Sequence, residues 1–76
     1  LGLNMEVKEK KELSALPLTT AVIALAEKTL LQLNGRSLIR YSGTQHVLRI
    51  MLEGNDKQEI TKLAEEIAAA AKKELG

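Results

Sequence analysis

The chain has 76 residues and a net charge of +1, from eleven Lys and Arg against ten Asp and Glu. This balance argues against a protein that captures nucleic acid by broad electrostatic attraction, so any anion selectivity has to be local. One Tyr and no Cys, Phe or Trp leave an aliphatic core without disulfides or zinc thiolates, and we predict one small domain over residues 1–76.

The sequence also bears on location. No signal peptide is recognisable, and the apolar stretches are interrupted well before the ~20 residues that a bilayer span requires. We therefore expect no membrane partner, and the lack of Cys suits the reducing cytoplasm. Because Leu1 is not Met and already belongs to a predicted strand, we expect a fragment of a larger protein rather than a processed small one.

The first predicted element is a strand, in which four apolar residues alternate with polar or small ones: Leu1, Leu3, Met5 and Val7. A period of two indicates a strand with one buried face. Residues 8–12 form a run of mixed charge. We interpret this run as a solvated strand end, because both signs are interleaved and no aromatic side chain is present to stack on bases.

A helix is predicted from about residue 18 to residue 33, where apolar residues recur at helical spacing. Pro17 suits its first turn, and Thr19 and Thr20 are both candidate N-caps. Asn34, followed by a glycine, provides the left-handed stop common at helix ends. Two leucines fall outside the main stripe and predict a second apolar face: Leu25 and Leu31.

Two strands, over residues 36–41 and 47–53, are predicted to form a hairpin. In the second, Leu48, Ile50 and Leu52 point one way, so Arg49 leaves the core side and reaches toward the hairpin loop.

A second helix follows the hairpin. Asp56 and Glu59 form a start that resembles a capping box. An apolar stripe then runs along one face: Ile60, Leu63, Ala64, Ile67, Ala68 and Ala71. The elements together predict an α+β fold in the order strand, helix, strand, strand, helix, with two helices on one face of an antiparallel sheet of three or four strands.

The hairpin loop carries the candidate site. Arg40 and Arg49 flank a Ser-Gly-Thr turn, and the guanidinium fork matches the oxygens of a phosphate or carboxylate. Gly43 allows a positive φ that lets backbone N–H groups converge, while the hydroxyls of Ser42 and Thr44 add donors. We predict phosphate binding, with no catalytic residue and no metal ligand nearby.

Simpler interpretations of these residues remain open. The arginines can form surface salt bridges to Glu53 or other carboxylates, and the hydroxyls of Ser42 and Thr44 can merely close the turn. A triad of His46 with Ser42 and Asp56 is not expected, because an exposed hairpin gives no shielded, oriented base. His46 instead suggests an auxiliary titratable donor near bound phosphate.

Five residues, Arg40, Ser42, Gly43, Thr44 and Arg49, followed by Ile-Met-Leu-Glu-Gly over residues 50–54, carry a resemblance. The chain resembles the C-terminal, fourth domain of the α-D-phosphohexomutase superfamily, most closely the bacterial phosphoglucosamine mutases. That family usually writes the loop Arg-any-Ser-Gly-Thr-Glu-Pro. Gln45 and His46 stand at the Glu and Pro positions, so the loop is less restricted here, and Gln45 is a second auxiliary candidate.

The resemblance implies a TATA-binding-protein-like domain that grips the substrate's phosphate and swings over the active site. The parent enzyme would interconvert glucosamine 6-phosphate and glucosamine 1-phosphate, for amino-sugar and peptidoglycan precursor synthesis. Its phosphoserine and Mg²⁺ belong to three preceding domains, so the isolated chain is expected to be catalytically silent, with the phosphosugar and those domains as its partners. The alternatives are a domain of a phosphomannomutase or phosphoglucomutase, and a free-standing regulatory or interaction module that binds an anion.

Overall fold

A computed structural model describes all of residues 1–76. In chain order the elements are β1 (Gly2–Glu6), a short 3₁₀ helix (Leu13–Ala15), α1 (Pro17–Gln32), β2 (Arg36–Tyr41), β3 (Val47–Glu53) and α2 (Lys57–Leu75). The predicted α+β fold and its element order are confirmed, with three strands in the sheet. The 3₁₀ helix was not predicted.

The sheet is antiparallel throughout and has the order β1-β3-β2, so the hairpin's second strand is its centre. The buried side chains of β3 are the three expected from its alternation, Leu48, Ile50 and Leu52. They face the helices, while Arg49, Met51 and Glu53 lie on the outer, exposed face. The central strand therefore fixes which side chains are available on the open side of the sheet.

Helix α2 packs on the inner face of the sheet. The carboxylate of Asp56 accepts a hydrogen bond from the backbone N–H of Glu59 at 3.1 Å, which confirms the predicted N-cap. Ala64, Ile67 and Ala71 are fully buried, as their place on the predicted stripe requires. Small alanine side chains let this helix approach the sheet closely, and the aliphatic core lies between them.

The start of α1 differs from the prediction. Pro17 occupies the first turn as expected, but neither Thr19 nor Thr20 caps the helix. Glu74, near the end of α2, accepts hydrogen bonds from the backbone N–H of Leu18 at 3.0 Å and from that of Thr19 at 2.6 Å. The Thr19 hydroxyl donates to the same carboxylate at 2.6 Å. A carboxylate distant in sequence thus satisfies N–H groups that a local cap was expected to satisfy.

These hydrogen bonds affect the acidity of Glu74. Burial alone raises the pKa of this carboxyl, but the hydrogen bonds from Thr19 and Leu18 outweigh that effect and leave the pKa below its usual value. The carboxylate therefore stabilises the fold above its ordinary pKa, and this contribution is lost as the pH falls through the lowered value.

Helix α1 ends as predicted, because Asn34 takes the left-handed conformation with φ of 51°. The predicted second apolar face is also present, with Leu25 65% and Leu31 78% exposed. Neither helix is both long and apolar enough to cross a bilayer.

Candidate anion-binding site

The register of the hairpin places Arg40 of β2 directly opposite Arg49 of β3. Residues directly opposite each other in antiparallel strands project to the same face, with Cβ atoms about 5 Å apart. Both arginines lie on the outer face and both are exposed. The two guanidinium groups therefore stand side by side over one surface of the sheet.

No carboxylate neutralises this pair. The structure has two ion pairs, Lys11 with Glu9 and Arg36 with Glu53, and neither includes Arg40 or Arg49. The interpretation of the two arginines as partners in surface salt bridges is therefore wrong. Glu53, the carboxylate named for this role, is opposite Arg36 in the register and pairs with that residue.

The arginines share a concavity with the hairpin loop. Its volume is about 500 Å³, and its lining consists of the five predicted residues and one neighbour: Arg40, Tyr41, Ser42, Gly43, Thr44 and Arg49. Two cations, two hydroxyls and a glycine backbone thus meet on one surface. Such a set of donors without an acidic side chain is suited to a tetrahedral oxyanion.

Ser42 organises the loop from inside. Only 7% of this residue is exposed, and its hydroxyl oxygen accepts hydrogen bonds from the backbone N–H groups of Thr44 and Gln45, each at 3.3 Å. This is the turn-closing role that the sequence left open. Because the oxygen is the acceptor in both contacts, the hydroxyl hydrogen is still free to donate a hydrogen bond.

The backbone conformation of Gly43 differs from the predicted one. Its φ is not positive, since among the glycines only Gly76 adopts that conformation. A Cβ added to Gly43 would meet nothing within 4 Å. Neither backbone conformation nor packing in this structure requires glycine here, so what the missing side chain provides is open access to the loop's backbone.

The two auxiliary candidates lie apart from the arginines. Gln45 and His46 line a separate concavity with Glu6, Val7 and Val47. A catalytic triad of Ser42, His46 and Asp56 was considered from the sequence and not expected. Asp56 lies beyond the other end of β3, where it caps α2. The structure therefore does not bring Ser42, His46 and Asp56 together, and a role for Gln45 or His46 beside phosphate stays a prediction.

Sequence reasoning missed residues that contact the loop from outside the hairpin. The ammonium group of Lys10 donates a hydrogen bond to the backbone carbonyl of Ser42 at 2.6 Å, although the mixed-charge run was interpreted as solvated. The Tyr41 hydroxyl donates to the carbonyl of Lys11, also at 2.6 Å. Burial, with a smaller effect of Glu12, raises the pKa of Tyr41, which keeps this donor protonated.

A third missed residue is Asn4. The register of β1 with β3 places Asn4 opposite Arg49 on the outer face, so Asn4, Arg49 and Arg40 form one polar row across the three strands. The alternation of the first strand already put Asn4 on the polar side. Only the pairing of distant strands reveals which residue it faces.

The chain has no cluster of three or more His, Cys, Asp or Glu side chains that could hold a metal ion. The donor set around the hairpin loop is cationic and hydroxylic, which does not fit Mg²⁺.

Comparison with known proteins identifies a family. The family model of the phosphoglucomutase/phosphomannomutase C-terminal domain matches residues 3–70. The chain is 49% identical over 73 residues to a phosphoglucosamine mutase of Geobacter metallireducens, and 48% identical over 73 residues to one of Pelobacter propionicus. A phosphoglucosamine mutase of Bdellovibrio bacteriovorus is 45% identical over 73 residues. Each match covers 96% of this chain and 16% of the relative, so the chain spans about a sixth of the length of these relatives.

Proposed function

Because the chain belongs to the family of phosphoglucomutase/phosphomannomutase C-terminal domains, we propose that it is the substrate-phosphate-binding domain of a phosphoglucosamine mutase. Such an enzyme interconverts glucosamine 6-phosphate and glucosamine 1-phosphate. In this proposal Arg40 and Arg49 bind the phosphate as cations, and Ser42, Gly43 and Thr44 donate hydrogen bonds to it.

The observation that carries the proposal is the direct pairing of Arg40 with Arg49 without a carboxylate. Like charges directly opposite each other destabilise a sheet. A phosphate dianion between them would neutralise both and accept charge-assisted hydrogen bonds, which are about twice as strong as neutral ones. The pair is therefore unfavourable in the free chain and favourable once an anion is bound.

Free hydrogen-bond donors in the loop also support the proposal. The Thr44 hydroxyl makes no hydrogen bond, and the backbone N–H of Gly43 has no partner. With the Ser42 hydroxyl hydrogen, these groups provide neutral donors next to the two cations. A phosphate surrounded by them would have donors on several of its oxygens at once.

The proposed role is positioning rather than chemistry. Binding energy from a phosphate remote from the reacting end can hold that end in place, and a mobile domain can supply it while excluding water. This chain contributes no nucleophile paired with a base. The Mg²⁺ and the phosphoserine of the reaction are assigned to the rest of the parent enzyme, which acts in the cytoplasm on precursors of peptidoglycan.

Two alternatives keep the same site. The matching family is named after phosphoglucomutase and phosphomannomutase, so the first alternative is a domain of one of those enzymes. In this proposal the sugar is selected by other domains. A free-standing anion-binding module is the second alternative. The upstream reading frame separates an enzyme domain from a free-standing module. Several hundred preceding codons support the enzyme, and a stop codon before Leu1 supports the module.

The test is an NMR titration of the ¹⁵N-labelled chain with sodium phosphate, then with glucosamine 6-phosphate, at constant ionic strength set with chloride. Saturable shifts are expected at the backbone N–H of Gly43 and Thr44 and at the guanidinium groups of Arg40 and Arg49. Arg36 lies at the other end of β2 and is already paired with Glu53, so it is the internal control and should not shift. Shifts that are small, uniform and no larger than with chloride would refute phosphate binding.

A further inference from the structure

The segment after β1 lies against the hairpin loop and is joined to both of its ends. On one side are the hydrogen bonds from Lys10 to the Ser42 carbonyl and from the Tyr41 hydroxyl to the Lys11 carbonyl. On the other, the backbone N–H of Val7 donates to the carbonyl of His46 at 2.9 Å. A segment far away in sequence therefore borders the loop from residue 41 to residue 46.

The contact of Lys10 determines the direction of one peptide group. The peptide bond between Ser42 and Gly43 is trans and planar, so its C=O and its N–H point in opposite directions. With the carbonyl of Ser42 held by the Lys10 ammonium, the N–H of Gly43 is turned away from Lys10. That N–H has no hydrogen-bond partner, and the space around Gly43 is open.

The alternative orientation would harm anion binding. A rotated peptide would present the Ser42 carbonyl oxygen, with its partial negative charge, in the place of the Gly43 N–H. Gly43 lacks a side chain that would restrict such a rotation. The family that the chain resembles usually has Pro at the position of His46, so the backbone of this loop is also less restricted. An external restraint on this peptide is therefore needed more here than in a stiffer loop.

We propose that Lys10 is a positioning residue, which holds the peptide between Ser42 and Gly43 so that the Gly43 N–H donates to bound phosphate. The inference rests on the proposed phosphate site and adds a residue to it from outside the hairpin. Tyr41 anchors the same segment through the Lys11 carbonyl, so the ammonium group stays within reach of the loop.

The experiment compares Lys10→Met, Lys10→Arg and Lys11→Met in the 76-residue chain. Lys11→Met removes the same charge from the next residue, whose side chain pairs with Glu9 at 3.6 Å and makes no hydrogen bond with the loop. The first readout is the heteronuclear NOE of the Gly43 and Thr44 amides without phosphate, which reports backbone order. The second is the Kd for inorganic phosphate, and amide dispersion verifies that each variant is folded.

Lys10→Met is expected to lower the order of Gly43 and Thr44 and to raise the Kd by roughly tenfold, the usual effect of losing a hydrogen bond to a charged group. Lys10→Arg should restore most of both, and Lys11→Met should change neither. Equal effects of Lys10→Met and Lys11→Met, or a weaker Kd with unchanged loop order, would overturn the positioning role. Because the order is measured without phosphate, failure of the wild-type chain to bind phosphate would refute the proposed function separately.

Discussion

The two ends of the hairpin use the same residue type in opposite ways. At the end where the hairpin connects to the two helices, Arg36 is opposite Glu53 and forms an ion pair with it. At the loop end, on the same face of the same two strands, Arg40 is opposite Arg49 and neither has a carboxylate partner. Folding alone explains the first pair, since opposite charges across a sheet are stabilising, but it does not explain the second.

Gly35 and Gly43 show the same difference between the two ends of the hairpin. At the end that connects to the helices, a Cβ on Gly35 would lie 2.3 Å from the backbone oxygen of Glu53 and 2.9 Å from Leu30. At the loop end, a Cβ on Gly43 would meet nothing within 4 Å. One end of the hairpin is therefore shaped by its own packing. The other carries residues whose types are accounted for only by something that binds from outside.

The largest expected effect is on stability, at the packed end. Gly35→Ala forces a methyl group against backbone and should lower the free energy of unfolding by about 1–3 kcal/mol, because the backbone atoms it meets cannot move aside cheaply. Urea unfolding followed by circular dichroism measures this. Gly43→Ala is the matched control, and equal stability of the two variants would show that the ends do not differ in packing.

The next effect is on binding, at the loop end. Arg40→Met should raise the Kd for inorganic phosphate by about ten- to hundredfold, since charged hydrogen bonds contribute about 1.5–3 kcal/mol. Its stability should not fall, because the change removes a like-charge contact. Isothermal titration calorimetry with Arg36→Met as the control measures this, and similar affinities of the two variants would contradict the proposed site.

A smaller change is expected from Gly43→Ala, which separates folding from binding at one position. The φ of Gly43 is not positive, so alanine should leave stability unchanged or raise it by about 0.4–1 kcal/mol. Phosphate affinity should fall by less than in Arg40→Met, because the methyl group hinders approach to the backbone. An unchanged phosphate Kd in this variant would mean that nothing approaches the backbone of Gly43.

The smallest expected effect is that of Arg36→Met on stability. Arg36 and Glu53 are both exposed, so the loss of their ion pair should lower the free energy of unfolding by less than about 1 kcal/mol. The loss should shrink further in high salt. Urea unfolding at low and high sodium chloride measures it, and a salt-independent loss would assign the effect to something other than the ion pair.

Local sequence patterns predicted the elements well. The bounds of β2 and β3 match the expected residues 36–41 and 47–53, because an alternating pattern next to turn residues marks both ends of a strand. The N-cap of α2 was also predicted, since Asp56 and Glu59 lie three residues apart. Each of these features depends on residues close together in the chain.

Contacts between distant residues were not predictable in this way. Nothing near Pro17 indicates that Glu74 accepts the N–H groups at the start of α1, and nothing near Ser42 indicates Lys10. The loop residues themselves were found from their chemistry, but the role expected for Gly43 was wrong in its conformation. Local chemistry located the candidate site, while the surrounding supports required the tertiary structure.

If Arg40 and Arg49 are held together for an anion, the coupling free energy between their side chains should depend on phosphate, and a double-mutant cycle measures that coupling. Unfolding free energies of the wild type, Arg40→Met, Arg49→Met and the double variant give the coupling between the two side chains, at low ionic strength. Without phosphate the coupling should be unfavourable by a few tenths of a kcal/mol to about 1 kcal/mol. With saturating phosphate it should become favourable. A coupling that is the same with and without phosphate would show that the two arginines do not bind the anion together.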